Sequence, residues 1–535
     1  MTQIIEEGHA EAHSPRWSDL RRHIRRRAIR DALVSENGLL LSIATISFFA
    51  HLLVASNYGY FRDELYYIAA GRRLAWGYVD FPPLIAVAAA ILRPFTQDNL
   101  LALHVVTALA SAILIVVTGL IARELGGGRF AQGLAATGAT VALVYMATGS
   151  LFTYDVFDEL WWGLGAYVLV RLLKRHTPRL WLLFGLIMGV GLFTKLTILF
   201  FGFAVVVGLL ATPARSYFRS WEIYAGGVIA FAFLAPYAAW NAVNGWPTLE
   251  FWTHYGGFTG SGPLDFIANQ IFTMNPLTMP LWLAGLYFYL RSPAGRSWRA
   301  LGWAYVALLV VFLALHVKPY FFSPVYPPLL AAGAVVLAQA RRRPRRLLWR
   351  QAYAGLLIAS GLLLVPLAMP VLPPATFAKT YGALSTLGNA SAGQQTQGVF
   401  PQYLGDRFGW IDLAKRVSRV YHGLPEREQA EACILTENYG EAAALELYRD
   451  QYHLPPVISG HNTYYLWGPG ACSGKVLITV NIAAPKLQRV YGSVVSVGAT
   501  ACAYCVSGEN GVPLYVATHP SANLRDLWPV AKHFN

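Results

Sequence analysis

The residues able to do chemistry gather at a few points in an otherwise apolar chain. Arg62, Asp63 and Glu64 stand together, and Asp80 lies further along the same polar stretch. Asp155 and Asp158 follow, then Lys195, His254 and Lys318. A carboxylate within hydrogen-bond reach takes the proton of an attacking hydroxyl or amine. Arg and Lys side chains, or a divalent cation held by carboxylates, stabilise a phosphate leaving group. Asp63, Asp80 and Asp155, with His254, are the residues that would hold such a cation. Together these types suit glycosyl transfer from a lipid-phosphate carrier. Each also has an ordinary explanation. Arg62-Asp63-Glu64 reads as loop polarity. Asp80 reads as a cap before Pro82-Pro83, and Asp155 or Asp158 as a helix cap. Lys195 and Lys318 read as snorkelling side chains. What favours chemistry is their common location at one set of helix ends.

That location follows from the apolar runs. The chain has 535 residues, 55% hydrophobic and only 13% charged, with mean hydropathy +0.42. Soluble domains carry about 25% charged residues. Stretches such as 39–55, 100–121, 131–146, 223–240 and 303–315 approach the ~20 residues that cross ~30 Å of hydrocarbon. The net charge of +14 does not point to nucleic acid. Its Arg and Lys fall in short clusters beside apolar spans, at 21–27, 174–175, 215–219, 291–299 and 341–350, the positive-inside pattern. About eleven transmembrane helices are expected. Residues 1–37 form a basic cytoplasmic N-terminus, with no small-residue cleavage site after it. The membrane domain runs over 38–370, with a first external loop at 57–98 that holds a short interfacial helix at 83–92. An odd count places the C-terminus outside. The candidate residues then fall at the outer ends of helices, where polar groups are costly unless they face a cavity or one another. A membrane lipid reaches such a site laterally.

Beyond residue 370 the composition changes. Residues 371–397 read as a linker, and 398–535 as an extracytoplasmic α/β domain. Strands are expected near 432–436, 456–459, 475–480 and 514–517, with a helix over 440–452. All four cysteines, Cys433, Cys472, Cys502 and Cys505, lie here. They read as buried residues or disulfides, because a lone CxxC is a weak zinc signal.

At this point the local strings become specific. Residues 60–67 (YFRDELYY) and 76–84 (WGYVDFPPL) resemble the first external loop of bacterial GT-C glycosyltransferases, the protein O-mannosyltransferase and ArnT-like (RgtA/B/C/D-like) group. Residues 154–162, 191–195 and 318–327, and the tail strings YGEAAA and SGHNTYYLWG, are similar to further motifs in the family's order. The resemblance implies an inverting transfer from a polyprenyl-phosphate sugar on the outer face of the inner (plasma) membrane, to a lipid, polysaccharide or protein. It implies Asp63 as base, with Glu64 beside it and Asp80 and Asp155 as further acidic site residues. Arg62, Lys195 and Lys318 would be phosphate-side cations, and Tyr320 and Tyr326 hydrogen-bond donors. ArnT-like members carry Lys between the acidic residue and Pro-Pro, where this chain has Phe81. The competing classes are a transporter or lipid-sugar flippase, which would place ionisable groups near mid-membrane on broken helices, and a non-catalytic glycan binder.

Overall fold

The computed structural model describes residues 36–254, 262–339, 344–391 and 398–535. The basic stretches at 21–27 and 341–343 and the end of the expected linker lie outside the described residues.

Long apolar sequences form the first part of the fold. The helices are α1 (Glu36–Val54), α2 (Arg62–Gly71), α3 (Leu84–Thr96), α4 (Leu100–Glu124), α5 (Arg129–Thr140), α6 (Leu143–Gly149), α7 (Tyr154–Arg175), α8 (Leu180–Thr194), α9 (Ile198–Leu210) and α10 (Trp221–Val243). Next come α11 (Pro247–His254), α12 (Pro263–Thr273), α13 (Met279–Leu290), α14 (Arg299–Ala314), α15 (Tyr326–Gln339), α16 (Pro344–Ala368) and α17 (Pro374–Ser391). Among the described residues, six helices are long and apolar enough to cross a membrane, or up to eight if each bent pair is one span. The difference from eleven has physical causes. α8, α9 and α13 are short and apolar. α7 is long, but Asp155, Asp158 and Glu159 stand near its start and Lys174 and Arg175 at its end. That polarity matches the helix dipole. The expected third span bends by 66° between α5 and α6. The expected tenth opens as a 3-10 turn, Pro319–Val325, before α15, and the two together are one of the six.

Helices meet through small residues, which allow close backbone approach. α8 crosses α10 where Gly185 faces Gly226, and α13 crosses α15 where Gly285 and Gly333 face the opposing backbone. The short apolar helix expected at 83–92 forms as α3. It buries Ile85, Ala86 and Ala89 and exposes Ile91 and Phe95.

Most of the expected linker folds as α17. The tail adds α18 (Gln402–Gly405), α19 (Trp410–His422), α20 (Tyr439–Leu447) and α21 (Asn462–Trp467), with further short helices such as Leu524–Ala531. Its strands are β1 (Ala432–Thr436), β2 (Val457–Ser459), β3 (Val476–Val480), β4 (Tyr491–Ala499) and β5 (Pro513–Pro520), in the order β2-β1-β3-β5-β4. β2, β1 and β3 run parallel, and β5 and β4 complete the sheet antiparallel. β4 was not expected. Its mostly exposed residues lack the buried apolar run that marked β1 and β3. Cys433 pairs with Cys472 and Cys502 with Cys505.

The alternation of strand side chains directs one sheet face toward the membrane domain. Ile434, Ile478 and Leu514 pack with Ala442, Ala443 and Leu445 of α20, and the same apolar cluster includes Leu65, Tyr66, Tyr67 and Ile68 of α2. The tail therefore shares a core with the first loop.

Candidate active site

The first turn of α2 carries Arg62, Asp63 and Glu64, and helical geometry sends these three side chains in different directions. Glu64 points into the protein and is fully buried. Its Oε2 accepts the Phe61 N–H at 2.8 Å, closing the helix start. Its Oε1 accepts the Phe152 N–H and the His104 Nε2–H, each at 2.6 Å. Burial opposes its charge, but His104, Arg407 and the Phe152 N–H outweigh burial and hold the carboxyl below the usual glutamate range. Glu64 is thus a structural tie between α2, α4 and the loop before α7, which corrects its expected place as an acidic neighbour in the chemistry.

Asp63 faces the opposite way and keeps 27% of its side chain exposed. Its Oδ1 accepts the Tyr439 hydroxyl at 2.8 Å and stands 3.8 Å from Arg62 Nε. Burial pushes its carboxyl up, Arg62 and Tyr439 oppose, and Asp406 and Asp155 push up again. Arg62 reaches Asp406 at 3.5 Å, and its stem lies over Gly440, where a side-chain carbon would collide with it. Gly440 is required by this close approach.

Asp80 does not cap α3. Its Oδ1 accepts the Tyr66 hydroxyl at 3.0 Å and its Oδ2 the Asn462 amide at 3.4 Å. Thr463 N–H and its hydroxyl lie 3.1 and 2.7 Å from the Tyr66 oxygen, leaving the Tyr66 proton for Asp80. Burial, with Asp63 nearby, pushes the Asp80 carboxyl up to about 7 against the hydrogen bond from Tyr66. An unfolded carboxyl titrates near ~4. As pH rises from ~4 to ~7 the unfolded chain releases this proton first, so the group lowers folding stability progressively across that window. Asp80→Asn is therefore expected to raise the thermal midpoint relative to the parent at pH 8 and to leave it unchanged near pH 4.5, read by differential scanning fluorimetry in detergent.

Lys195 is the extended residue that ends α8. Its ammonium pairs with Asp155 at 2.6 Å and lies 4.1 Å from the Phe321 ring centroid, 5.1 Å from Tyr154 and 5.5 Å from Tyr320. Lys318 precedes the 3-10 turn that carries Tyr320. Burial, with the Arg62 and Lys195 cations, holds its ammonium below the ordinary value against Asp63 and Asp155. Arg62, Asp63, Asp155, Lys195 and Lys318 thus act on one another electrostatically, although they are far apart in sequence.

Three other expected residues take their hydrogen bonds outside this group. Tyr326 is fully buried in the helix bundle, and its hydroxyl goes to Gln270 Oε1 at 3.2 Å, so it is a packing residue and not a phosphate donor. Asp158 is buried one turn below Asp155, taking Thr197 Oγ1–H at 2.7 Å and Trp162 Nε1–H at 3.0 Å. His254 ends α11 and is exposed, its ring on the Glu250 carbonyl at 2.9 Å. Phe81 is buried and stacks on Tyr78 at 4.6 Å, so its position sends no polar group toward the site.

A divalent cation does not fit these residues. Among the described residues, His, Cys, Asp and Glu nowhere gather in a group of three able to hold one. Asp63, Asp80 and Asp155 each spend an oxygen on Tyr439, Tyr66 or Lys195.

Sequence reasoning missed the tail's share of the site. Tyr439, Asp406, Asn462 and Thr463 touch Asp63, Arg62, Asp80 and Tyr66, and Tyr439 reaches Asp63 across 376 positions. The strings around Tyr439 and Asn462 were distinctive, but nothing in their order shows them folding back onto the first loop.

Residues 80–240 match the dolichyl-phosphate-mannose-protein mannosyltransferase family. Curated protein sequences gave no match. ArnT from Cupriavidus metallidurans bound to undecaprenyl phosphate is similar in fold, with TM-score 0.56 at 16% identity, over 89% of this chain and 97% of that one. Its apo state gives TM-score 0.58 at 15% identity, with the same coverage. The centre of the chain thus matches a mannosyltransferase family, and the chain shares the fold of the ArnT structures over nearly its whole length.

Proposed function

We propose that this protein is a membrane glycosyltransferase that moves a sugar from a polyprenyl-phosphate donor to a lipid, polysaccharide or protein acceptor on the outer face of the inner membrane. The observation that carries the reading is the meeting of a partly exposed carboxylate, Asp63, with Arg62, Lys195 and Lys318 at the ends of helices. The acceptor O–H or N–H attacks the anomeric carbon as the bond from that carbon to the phosphate oxygen breaks. Asp63 takes the acceptor proton, and the electron pair leaves with the phosphate, whose charge the three cations offset. Asp80, kept partly protonated at neutral pH, orients the acceptor side. Tyr320, beside Lys195, borders the phosphate side.

The disulfides support an outer location for the tail, because such bonds persist in oxidising compartments. The bound undecaprenyl phosphate of the structurally similar ArnT supports a donor of that lipid class. Hexosyl or pentosyl specificity belongs to the proposal's test. Comparing envelope lipids, polysaccharides and proteins of a deletion strain with its parent should show one species lacking a single sugar. Restoration of that sugar by the parent gene is required, and an unchanged envelope would overturn the reading.

Lys195→Met tests the cation side. Charge-assisted hydrogen bonds contribute ~1.5–3 kcal/mol, so donor KM should rise about tenfold or more. Binding of undecaprenyl phosphate to protein in nanodiscs should weaken in parallel. An unchanged donor KM would remove Lys195 from phosphate recognition.

A further inference from the structure

Asp406 is fully buried just after α18. Its Oδ2 accepts from Gln402 at 3.2 Å and faces Arg62 at 3.5 Å, while its Oδ1 takes no hydrogen bond among the described residues. The next residue, Arg407, is also buried and donates to Ser150 O at 2.9 Å and Ser150 Oγ at 3.2 Å. Trp410, four residues on from Asp406, donates to the Tyr60 carbonyl at 3.1 Å. These bonds hold the segment firmly against the start of α2 and the loop before α7.

The Arg62 guanidinium therefore lies between two carboxylates, Asp406 at 3.5 Å and Asp63 at 3.8 Å. Neither contact is a close bidentate pair, which would require about 2.7–2.9 Å. A half-buried cation with one carboxylate partner closes on that partner. With two, it is shared. Sharing leaves Asp63 with its short bond from the Tyr439 hydroxyl.

We infer that Asp406 is a positioning residue, which draws Arg62 back from Asp63 so that Asp63 stays an available base. The inference rests on Asp63 being the base in the proposed transfer. The groups facing Asp63 are Arg62 and Tyr67 on α2, Asp80 on the first loop, Asp155 on α7, Lys318, and Asp406 and Tyr439 from the tail. Asp406 forms the ion pair that competes with Asp63 for Arg62, and Glu509 acts on Arg62 more weakly. Removing its charge lets Arg62 close on Asp63, stabilises the ionised form of Asp63, and makes it a weaker base.

The experiment compares Asp406→Asn with the parent. An ionised Asp63 is required, so transfer falls as pH drops through its pKa. In Asp406→Asn the acid limb of the pH–rate profile should move down by about one pH unit, with kcat reduced and donor KM little changed. Asp406→Glu should restore the parent profile. Carboxyl infrared bands read the same event without transfer. The band absent in Asp63→Asn identifies Asp63, and it should titrate at lower pH in Asp406→Asn. If the parent transfers no sugar, the functional proposal fails while the band still decides the positioning role.

An Arg62→Gln/Asp406→Asn pair removes this cation and its buried carboxylate partner together, and serves if the single variant fails to fold. Compared with Arg62→Gln alone, it should move the band by less than half as much as Asp406→Asn moves it in the parent, or by well under one pH unit where that single variant is unavailable. An unmoved or raised midpoint in Asp406→Asn, or a shift of a full pH unit without Arg62, would overturn the inference.

Discussion

Asp63→Asn is expected to lower sugar transfer by at least about a hundredfold, the lower bound of what a positioned general base contributes. Asn keeps the size of the side chain and can still accept the Tyr439 hydroxyl at the 2.8 Å now seen. It cannot take a proton at neutral pH. Expression, membrane insertion and the thermal midpoint should therefore survive. Binding of undecaprenyl phosphate should survive too, because Lys195 and Lys318 remain. The check is initial rate against donor concentration, with kcat falling and KM holding. Residual activity above about a tenth of the parent's would assign the base elsewhere, and Asp80 would then be examined first because its carboxyl titrates near about 7.

Glu64→Ala should fail in the opposite manner. Glu64 sits next to Asp63 in sequence, yet it is fully buried and takes three hydrogen bonds from Phe61, His104 and Phe152. Truncation leaves the His104 Nε2–H and two backbone N–H groups without an acceptor. Breaking a buried pair by removing one partner costs about 3–5 kcal/mol, so the thermal midpoint should drop steeply and yield of folded protein with it. Protein that does fold should retain the parent's donor KM. Glu64→Gln keeps the shape and can still accept, so it should lose less. A Glu64→Ala variant of parental stability but without activity would return Glu64 to the chemistry. Two adjacent carboxylates thus separate cleanly, one failing in rate and the other in folding.

Several features were legible from residue order alone. Long apolar runs are a local property, so membrane embedding, a polar tail and a first loop between α1 and α4 could all be read directly. β1 and β3 were equally plain, since a buried strand leaves a short apolar run between turns. The cluster Arg62-Asp63 with Asp155, Lys195 and Lys318 could be proposed because each sits at a helix end.

What residue order could not decide was direction and partnership. Asp63 and Glu64 are one residue apart, and a helix turns each such step by about 100°. One therefore faces the site and the other faces His104, and only the packing of α2 against α4 chooses which. Tyr326 looked like Tyr320, but it falls after the 3-10 turn has become α15, which rotates it into the bundle. The tail's part was decided by tertiary structure alone. Tyr439, Asp406 and Asn462 reach Asp63, Arg62 and Asp80 because the apolar face of the tail sheet and α20 packs into one core with α2. Burial is what brings the tail there, and contacts across more than three hundred residues carry no local mark in the chain.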